Sequence, residues 1–350
     1  MKKLIITTIA TLTILKTSDL IARDQIKIVG SSTVYPFATV VAERFGKTSG
    51  FKTPVIESTG SGGGLKLFCK GLGTEHPDIT NASRRIKMKE VRNCEKNGVT
   101  DITEIKVGYD GIAIANSKSG PVFDFTLKDL YLALAKEVPA DKNGVTVKPN
   151  PFKMWNEINP ALPAKPIVVI GPPPTSGTRD AFNELAIEKG CRKFSGRKDL
   201  KKKNKNLYKS QCRGIREDGA YVEAGENDNL IIEKLVADPS ALGVFGYSFL
   251  DQNKDKVKAA KVNNVFPKFE AISSGEYPVS RSLFFYIKNA HAAVIPGVKQ
   301  YVREFTSSKA IGFDGYLISK GLIPLPQNER SKFEKDGKTL AKFDEQLLIK

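Results

Sequence analysis

The chain has 350 residues, of which 40% are hydrophobic and 27% charged, and this balance excludes a disordered or membrane-embedded protein. Its length exceeds that of a usual single core, so we expect two lobes. The formal net charge of +17 fits either a polyanion such as nucleic acid or a small anion as the ligand. Lysine and arginine are scattered, and the one dense cluster lacks interleaved aromatic residues, so a small anion is favoured.

The N-terminus has the pattern of an export signal. Lys2 and Lys3 precede an apolar run at residues 4–15, which is too short to span a membrane. We expect residues 1–22 to be a signal peptide that is cleaved after export. The alternative is a buried N-terminal strand, which the abrupt start of strand-like sequence at Ile26 disfavours.

Three segments repeat one pattern, in which an apolar strand breaks into a turn of Ser, Thr and Gly before a helical pattern begins. They are residues 26–37 (IKIVGSSTVYPF), residues 55–64 (VIESTGSGGG) and residues 165–182 (KPIVVIGPPPTSGTRDAF). Each turn places unpaired backbone N–H groups and hydroxyls at the positive end of a helix, where anions bind. Three such turns in one basic chain predict small-anion binding.

The segments between these turns alternate between strand and helix patterns. After the second turn we predict a helix at residues 65–70, a strand at 78–83, a helix at 84–97 and an apolar strand within 105–115. This alternation predicts an α/β fold with a sheet of parallel type.

A second α/β segment follows between about residues 121 and 281. Its predicted helices are residues 180–189 and a helix capped at 227–229, and an apolar strand at 283–287 then precedes a helical C-terminus. No flexible linker separates the lobes, so we expect the chain to cross between them near residues 112–116 and 277–285 and to form a hinge there. The predicted boundaries are residues 24–112 plus 283–350 for lobe 1, and 113–282 for lobe 2.

The four cysteines, Cys69, Cys94, Cys191 and Cys212, are typical of an oxidising compartment. They permit three pairings, and the local one, Cys69 with Cys94 and Cys191 with Cys212, is the simplest. A zinc site is the alternative, but the chain has no CxxC motif and only two histidines. We therefore expect neither a metal nor a cofactor.

The segment between Cys191 and Cys212 is the dense basic cluster of the chain. It carries nine basic residues against one acidic residue. We expect a solvated surface loop closed at its base by a disulfide, and contact with a membrane or a partner is the alternative.

A tetrahedral oxyanion presents four oxygens and is held best by many short donors that arrive from several directions. In the third turn, Ser176 and Thr178 flank a glycine, and Arg179 adds a guanidinium. Arg84 and Arg85 follow another predicted helix start, and we expect one of them to face the ligand. The simpler readings are a ligand-free glycine turn at residues 60–64 and a well-capped helix with an exposed arginine at residues 175–179.

Taken in order, seven segments resemble the phosphate-binding proteins of ABC-type phosphate importers. They are GSSTVYPF, STGSGGG, NASRRI, GYDGIAIA, SGTRDAF, YVEAGENDNLIIEKLVADPSALGVFGYSFL and GEYPVSRSLFFYIK, and the resemblance extends over nearly all of residues 26–326. The resemblance implies an α/β periplasmic-binding-protein fold of type II, with two lobes, a hinge and one phosphate in the cleft between the lobes. It also implies that phosphate is delivered to the membrane permease of an ABC importer.

By position, the resemblance implies phosphate contacts from all three turns. Arg84 departs from members that carry an aspartate there, which accepts the proton of hydrogen phosphate, and Arg179 departs from members whose site arginine lies upstream of SGT. Asp110 is the candidate substitute acceptor, with a structural role beside the hinge as the alternative. The full predicted set of ligand-binding residues is Ser32, Thr33, Val34, Ser61, Arg84, Ser176, Gly177, Thr178 and Arg179.

Other functions place different demands on the sequence. A phosphate-ester hydrolase needs a nucleophile with an adjacent base or a metal, but neither His76 nor His291 lies in a Ser/Gly turn, and the chain has no GxxxxGK[ST] motif. Sulfate stays open as an alternative ligand because Arg84 occupies the place of the proton acceptor. We expect a monomeric periplasmic receptor for inorganic phosphate, with no enzymatic activity and no nucleic-acid partner.

Overall fold

A computed structural model describes residues 23–225 and 227–349, and the predicted signal peptide, residues 1–22, lies outside the described residues. The strands are β1 Lys27–Gly30, β2 Val55–Ser58, β3 Ile79–Ala82, β4 Ile102–Ser117, β5 Asp124–Phe125, β6 Glu137–Pro139, β7 Val147–Pro149, β8 Val169–Gly171, β9 Tyr221–Glu223, β10 Leu242–Gly246, β11 Val257–Ala259, β12 Lys261–Val262 and β13 Ser280–Lys288. The α-helices are α1 Tyr35–Thr48, α2 Ser61–Phe68, α3 Met88–Lys96, α4 Leu127–Leu134, α5 Trp155–Ile158, α6 Gly177–Phe182, α7 Glu188–Cys191, α8 Ser195–Lys203, α9 Lys205–Arg213, α10 Asp228–Ala237, α11 Tyr247–Gln252, α12 Phe269–Ser274, α13 Val298–Thr306, α14 Ser308–Ile311 and α15 Gln327–Thr339.

The main sheet has the strand order β2-β1-β3-β13-β4-β10-β8-β9, with β11 paired to the end of β4. In its first half, β1 lies between β2 and β3 and runs parallel to both. In its second half, β8 lies between β10 and β9 and is again parallel to both neighbours. Parallel strands joined through helices confirm the predicted α/β fold.

Strand β4 belongs to both halves of the sheet. Its residues 102–111 pair with β13, and its residues 112–116 pair with β10. Nearly every residue of this long apolar strand is buried, because helices cover both of its faces. The chain passes between the halves along β4 and returns through β13, which gives the two crossings expected for a hinge. The lobe boundaries given above stay a prediction.

The first half packs its core around α1. Phe37, Val41 and Phe45 recur along one face of this helix and are all buried. The ring of Phe45 meets that of Tyr301 edge to face at 5.7 Å between centroids. Burial of each such side chain contributes roughly 1.5–3 kcal/mol, so this face fixes α1, and with it the turn before α1, against the sheet.

Two predicted helix boundaries in the first half are wrong. Helix α2 begins at Ser61 and not at Leu65, so the glycines form its first turn. Helix α3 begins at Met88 and not at Arg84. The reason for the second shift is local: the Glu90 carboxylate accepts from the amide of Lys87, which fixes the helix start there.

The segment between Cys191 and Cys212 is helical, so the prediction of a loop is wrong. It forms α8 and α9, and the two disulfides join Cys69 to Cys94 and Cys191 to Cys212, the local pairing. The high density of basic residues predicts that every side chain of the segment faces solvent. Arg197 is instead buried inside the segment, where it donates to the carbonyls of residues 144 and 145.

Candidate phosphate site

The first turn, residues 31–34, connects β1 to α1. Within the described part of the chain, the amides of Ser32, Thr33 and Val34 donate to no carbonyl or side chain, whereas the Ser31 amide donates to the Asn81 carbonyl and the Tyr35 amide to the Ser31 carbonyl. β1 ends at Gly30 with a φ of 132°, and a Cβ there would lie 2.1 Å from the carbonyl oxygen of Asn81. Only glycine fits, and it lets the first turn bend over the end of β3.

The second turn, residues 60–63, opens α2 in the same way. No side chain caps this helix, and among the described residues no acceptor meets the amides of Ser61, Gly62 and Gly63. The Ser61 hydroxyl accepts from the amide of Ser83 at 3.0 Å and lies 3.2 Å from the Ser83 hydroxyl. Because β1, β2 and β3 are parallel, the turns that follow them lie along one edge of the sheet.

The third turn, residues 176–178, follows β8 in the second half of the sheet. The Ser176 hydroxyl caps α6 by accepting from the amide of Thr178 at 3.2 Å. A Cβ on Gly177 would lie 3.2 Å from the carbonyl oxygen of Ser32 and 3.4 Å from the Cα of Thr33. The first and third turns are therefore in contact, although Gly177 and Ser32 are 145 positions apart in the sequence (177 minus 32).

Arg84 lies beside the second turn, since a Cβ on Gly62 would be 3.9 Å from its Nη2. Its guanidinium makes a two-pronged contact with the Glu90 carboxylate, at 2.7 and 2.9 Å. Burial acts to raise the pKa of Glu90, but the Arg84 hydrogen bonds and the Lys87 amide outweigh it and hold that pKa below its usual value. Glu90 thus keeps Arg84 in place at the positive end of α2, with further N–H groups left to donate.

The Arg179 guanidinium lies beneath the third turn. It is buried, stacks 3.9 Å from the centre of the Tyr221 ring, and donates from Nη1 to the carbonyl of Pro172 at 3.0 Å. The Tyr221 hydroxyl donates to the same carbonyl at 3.0 Å. These contacts tie the segment before the third turn to β9.

Arg281 connects the two halves of the sheet at this site. Its guanidinium donates to the hydroxyl of Thr33 in the first turn, to Asp110 on β4 at 3.2 Å and to Glu184, just after α6, at 2.9 Å. Burial raises the pKa of Asp110, and Arg281 opposes that rise. Sequence reasoning missed this residue, because an arginine at the start of an apolar strand carries no local sign of its partners.

Asp228 is a second carboxyl near Asp110 that sequence reasoning used only as part of a helix start. It is buried and accepts from the amide of Gly246 at 2.9 Å. Burial raises its pKa to about 6; the hydrogen bond from the Gly246 amide opposes this rise, and the nearby charge of Asp110 adds to it.

We predict that Asp228→Asn stabilises the protein at neutral pH. The folded state holds the Asp228 proton up to about pH 6, whereas the unfolded chain releases it near pH 4, so the free energy of unfolding falls as pH rises between these values. The asparagine carbonyl still accepts from Gly246, and a gain of about 1–3 kcal/mol at pH 7 is expected. Urea unfolding at pH 4, 5, 6 and 7 measures it, and identical pH profiles of variant and parent would contradict it.

Among residues 23–225 and 227–349, no group of three His, Cys, Asp or Glu side chains could hold a metal ion. No helix in this part of the chain is both long enough and apolar enough to cross a membrane.

Comparison with known proteins agrees with the fold. A PBP superfamily domain matches residues 17–309. Protein SphX of Synechococcus elongatus is 31% identical over 303 residues, which cover 85% of this chain and 76% of SphX. The phosphate-binding protein PstS of Staphylococcus saprophyticus is 27% identical over 310 residues, 87% of this chain and 82% of that protein.

A solved structure extends the likeness to three dimensions. The crystal structure of a possible phosphate binding protein from Planctomyces limnophilus has a TM-score of 0.72 and 27% identity, over 91% of this chain and 99% of that one. The resemblance found in the sequence motifs is thus confirmed, and the chain belongs to the PBP superfamily.

Proposed function

We propose that the chain binds one inorganic phosphate ion between the first, second and third turns and delivers it to the membrane permease of an ABC importer. The contact between Gly177 and Ser32 carries this proposal, because it joins amide-rich turns from both halves of the molecule. The similarity to the phosphate-binding protein PstS of Staphylococcus saprophyticus supports the choice of ligand.

The predicted ligands divide into donors and supporting groups. The phosphate oxygens accept hydrogen bonds from amides of the first and second turns and from the hydroxyls of Ser32, Ser61 and Thr178. Each such bond contributes about 1.5–3 kcal/mol to binding. Arg84 supplies positive charge beside the second turn. Arg179 and Arg281 are positioning residues, since their guanidinium groups are held by groups of the protein.

Binding of this kind requires closure and no chemistry. Phosphate docks on the first and second turns, and the third turn completes the set of donors when the hinge closes. A hydrolase would need a base at this edge, yet His291 is paired with Asp78, which lies at the opposite end of β3, and His76 lies in the loop before that end. We infer a receptor without enzymatic activity, exported to the periplasm and monomeric.

Titration calorimetry on the chain from residue 23 onward, stripped of ligand by unfolding and refolding, tests this function. We expect one phosphate per chain with a dissociation constant below about 1 μM, or about −8 kcal/mol. Sulfate should bind more weakly, and a chromogenic phosphate ester should not be hydrolysed. Absence of phosphate heat at micromolar concentration would refute the proposal, and tighter binding of sulfate would favour the alternative ligand.

We predict that Asp110→Asn weakens discrimination between phosphate and sulfate. Hydrogen phosphate carries a proton that needs an acceptor, whereas sulfate carries none at neutral pH. Asp110 shares Arg281 with Thr33 of the first turn, which makes its carboxylate the candidate acceptor on β4. Phosphate affinity should fall about tenfold while sulfate affinity stays constant or rises. An unchanged ratio of the two affinities would leave Asp110 a structural role only.

A further inference from the structure

We propose that residues 192–211, called the basic hairpin below, form a docking surface for the headgroups of anionic phospholipids. The basic hairpin contains α8 and most of α9 and carries nine basic residues against the single acidic Asp199. It lies outside the phosphate site, so this proposal does not depend on which ligand the site binds.

The basic hairpin is a built structure with fixed positions for its charges. The disulfide between Cys191 and Cys212 closes its base. Inside it, Arg197 is buried on backbone carbonyls and on the Gln211 side chain, and the hydroxyl of buried Tyr208 donates to Glu188 at 3.0 Å. These contacts hold the two short helices against the body of the protein and turn their remaining basic side chains outward.

The outward charge is largely uncompensated. Five exposed lysines of the basic hairpin have no carboxylate within ion-pair distance in the described part of the chain: Lys193, Lys198, Lys203, Lys205 and Lys209. Lys201 pairs with Glu188, and Lys202 makes only a 3.9 Å contact with Asp199 between two exposed side chains. Such a cluster produces a positive potential over one face, which falls off within a Debye length of about 8–10 Å.

The chemistry of the cluster favours a diffuse anionic surface over a protein or nucleic-acid partner. Its exposed charges are mostly lysines, which are hydrated point charges, whereas recognition of protein carboxylates favours the planar fork of arginine. Phe194 is half-buried and Tyr208 is buried, so the hairpin exposes no aromatic ring to anchor a protein or to stack on bases. Leu207, 43% exposed, is the apolar side chain available to enter the headgroup region.

Sedimentation with lipid vesicles tests the proposal on the chain from residue 23 onward. The parent should bind vesicles that contain phosphatidylglycerol, bind pure phosphatidylcholine vesicles poorly, and be released by salt. A variant that combines four substitutions in the basic hairpin should bind these vesicles at least about tenfold more weakly. The substitutions are Lys198→Gln, Lys203→Gln, Lys205→Gln and Lys209→Gln. The matched control removes the same charge from exposed lysines of α1 and α3 and from one lysine just after α2: Lys47→Gln, Lys89→Gln, Lys96→Gln and Lys70→Gln.

The comparison of the two variants decides the outcome. A loss confined to the hairpin variant, with its phosphate calorimetry and its thermal midpoint unchanged, supports a dedicated lipid surface. Equal losses in both variants would overturn it, because net charge would then account for the binding. Failure of the parent to prefer anionic vesicles, or binding to polyglutamate in place of vesicles, would also overturn it.

Discussion

Gly177→Val is expected to reduce phosphate affinity by at least about a hundredfold while leaving the unliganded fold intact. A Cβ at this position already lies 3.2 Å from the Ser32 carbonyl oxygen, and the two additional methyl groups of valine have no room between the first and third turns. The turns must then separate, and the loss of two charge-assisted hydrogen bonds at about 1.5–3 kcal/mol each gives a loss of this size.

A graded series makes this test sharp. Gly177→Ala adds one atom that the neighbouring backbone can accommodate by a few tenths of an ångström, so its effect should be several times smaller than that of valine. Because the crowding arises only when the turns meet, the thermal midpoint without ligand should stay close to that of the parent. Calorimetry measures both affinities, and parent-like phosphate binding by the valine variant would show that the two turns do not close on one ligand.

Arg281→Met is expected to lower the free energy of unfolding by about 3–5 kcal/mol, because it leaves the Asp110 carboxylate without its cation in a buried position. The lost contact with Glu184 should contribute less to this destabilisation, since the Glu184 side chain is 40% exposed and also pairs with Arg213 at 2.8 Å. Phosphate affinity should fall as well, because the Thr33 hydroxyl loses its anchor.

The double variant Arg281→Met with Asp110→Asn separates the lost ion pair from lost packing. Removal of the orphaned carboxylate should restore most of the stability, so the two changes should couple by more than about 1 kcal/mol in a double-mutant cycle. The free energy of unfolding of Arg281→Lys should lie between those of the parent and of Arg281→Met, since one ammonium group cannot reach all three partners. Additive effects of the two substitutions would show that Arg281 does not hold Asp110.

The three turns were predictable because their signal is local. A buried strand, a run of Ser, Thr and Gly, and a helix start are adjacent in sequence, and the structure keeps them adjacent in space. The local cysteine pairing was predictable for the same reason, because each pair spans only a short stretch of chain.

The supporting groups were not predictable, because their partners come from distant elements. Arg281 reaches Thr33 across 248 positions of sequence, and no pattern around either residue indicates the other. The start of α3 depended on Glu90, which holds both Arg84 and the Lys87 amide. The helices of the basic hairpin were not predictable either, because a single buried arginine among nine basic residues has no sequence signature.

Crystals grown with arsenate test the central claim most directly, because arsenate has the shape and charge of phosphate and arsenic scatters X-rays anomalously. We predict one strong anomalous peak per chain, within hydrogen-bonding reach of the first, second and third turns together. A peak that contacts the turns of only one half of the molecule, or a peak elsewhere on the chain, would contradict the account.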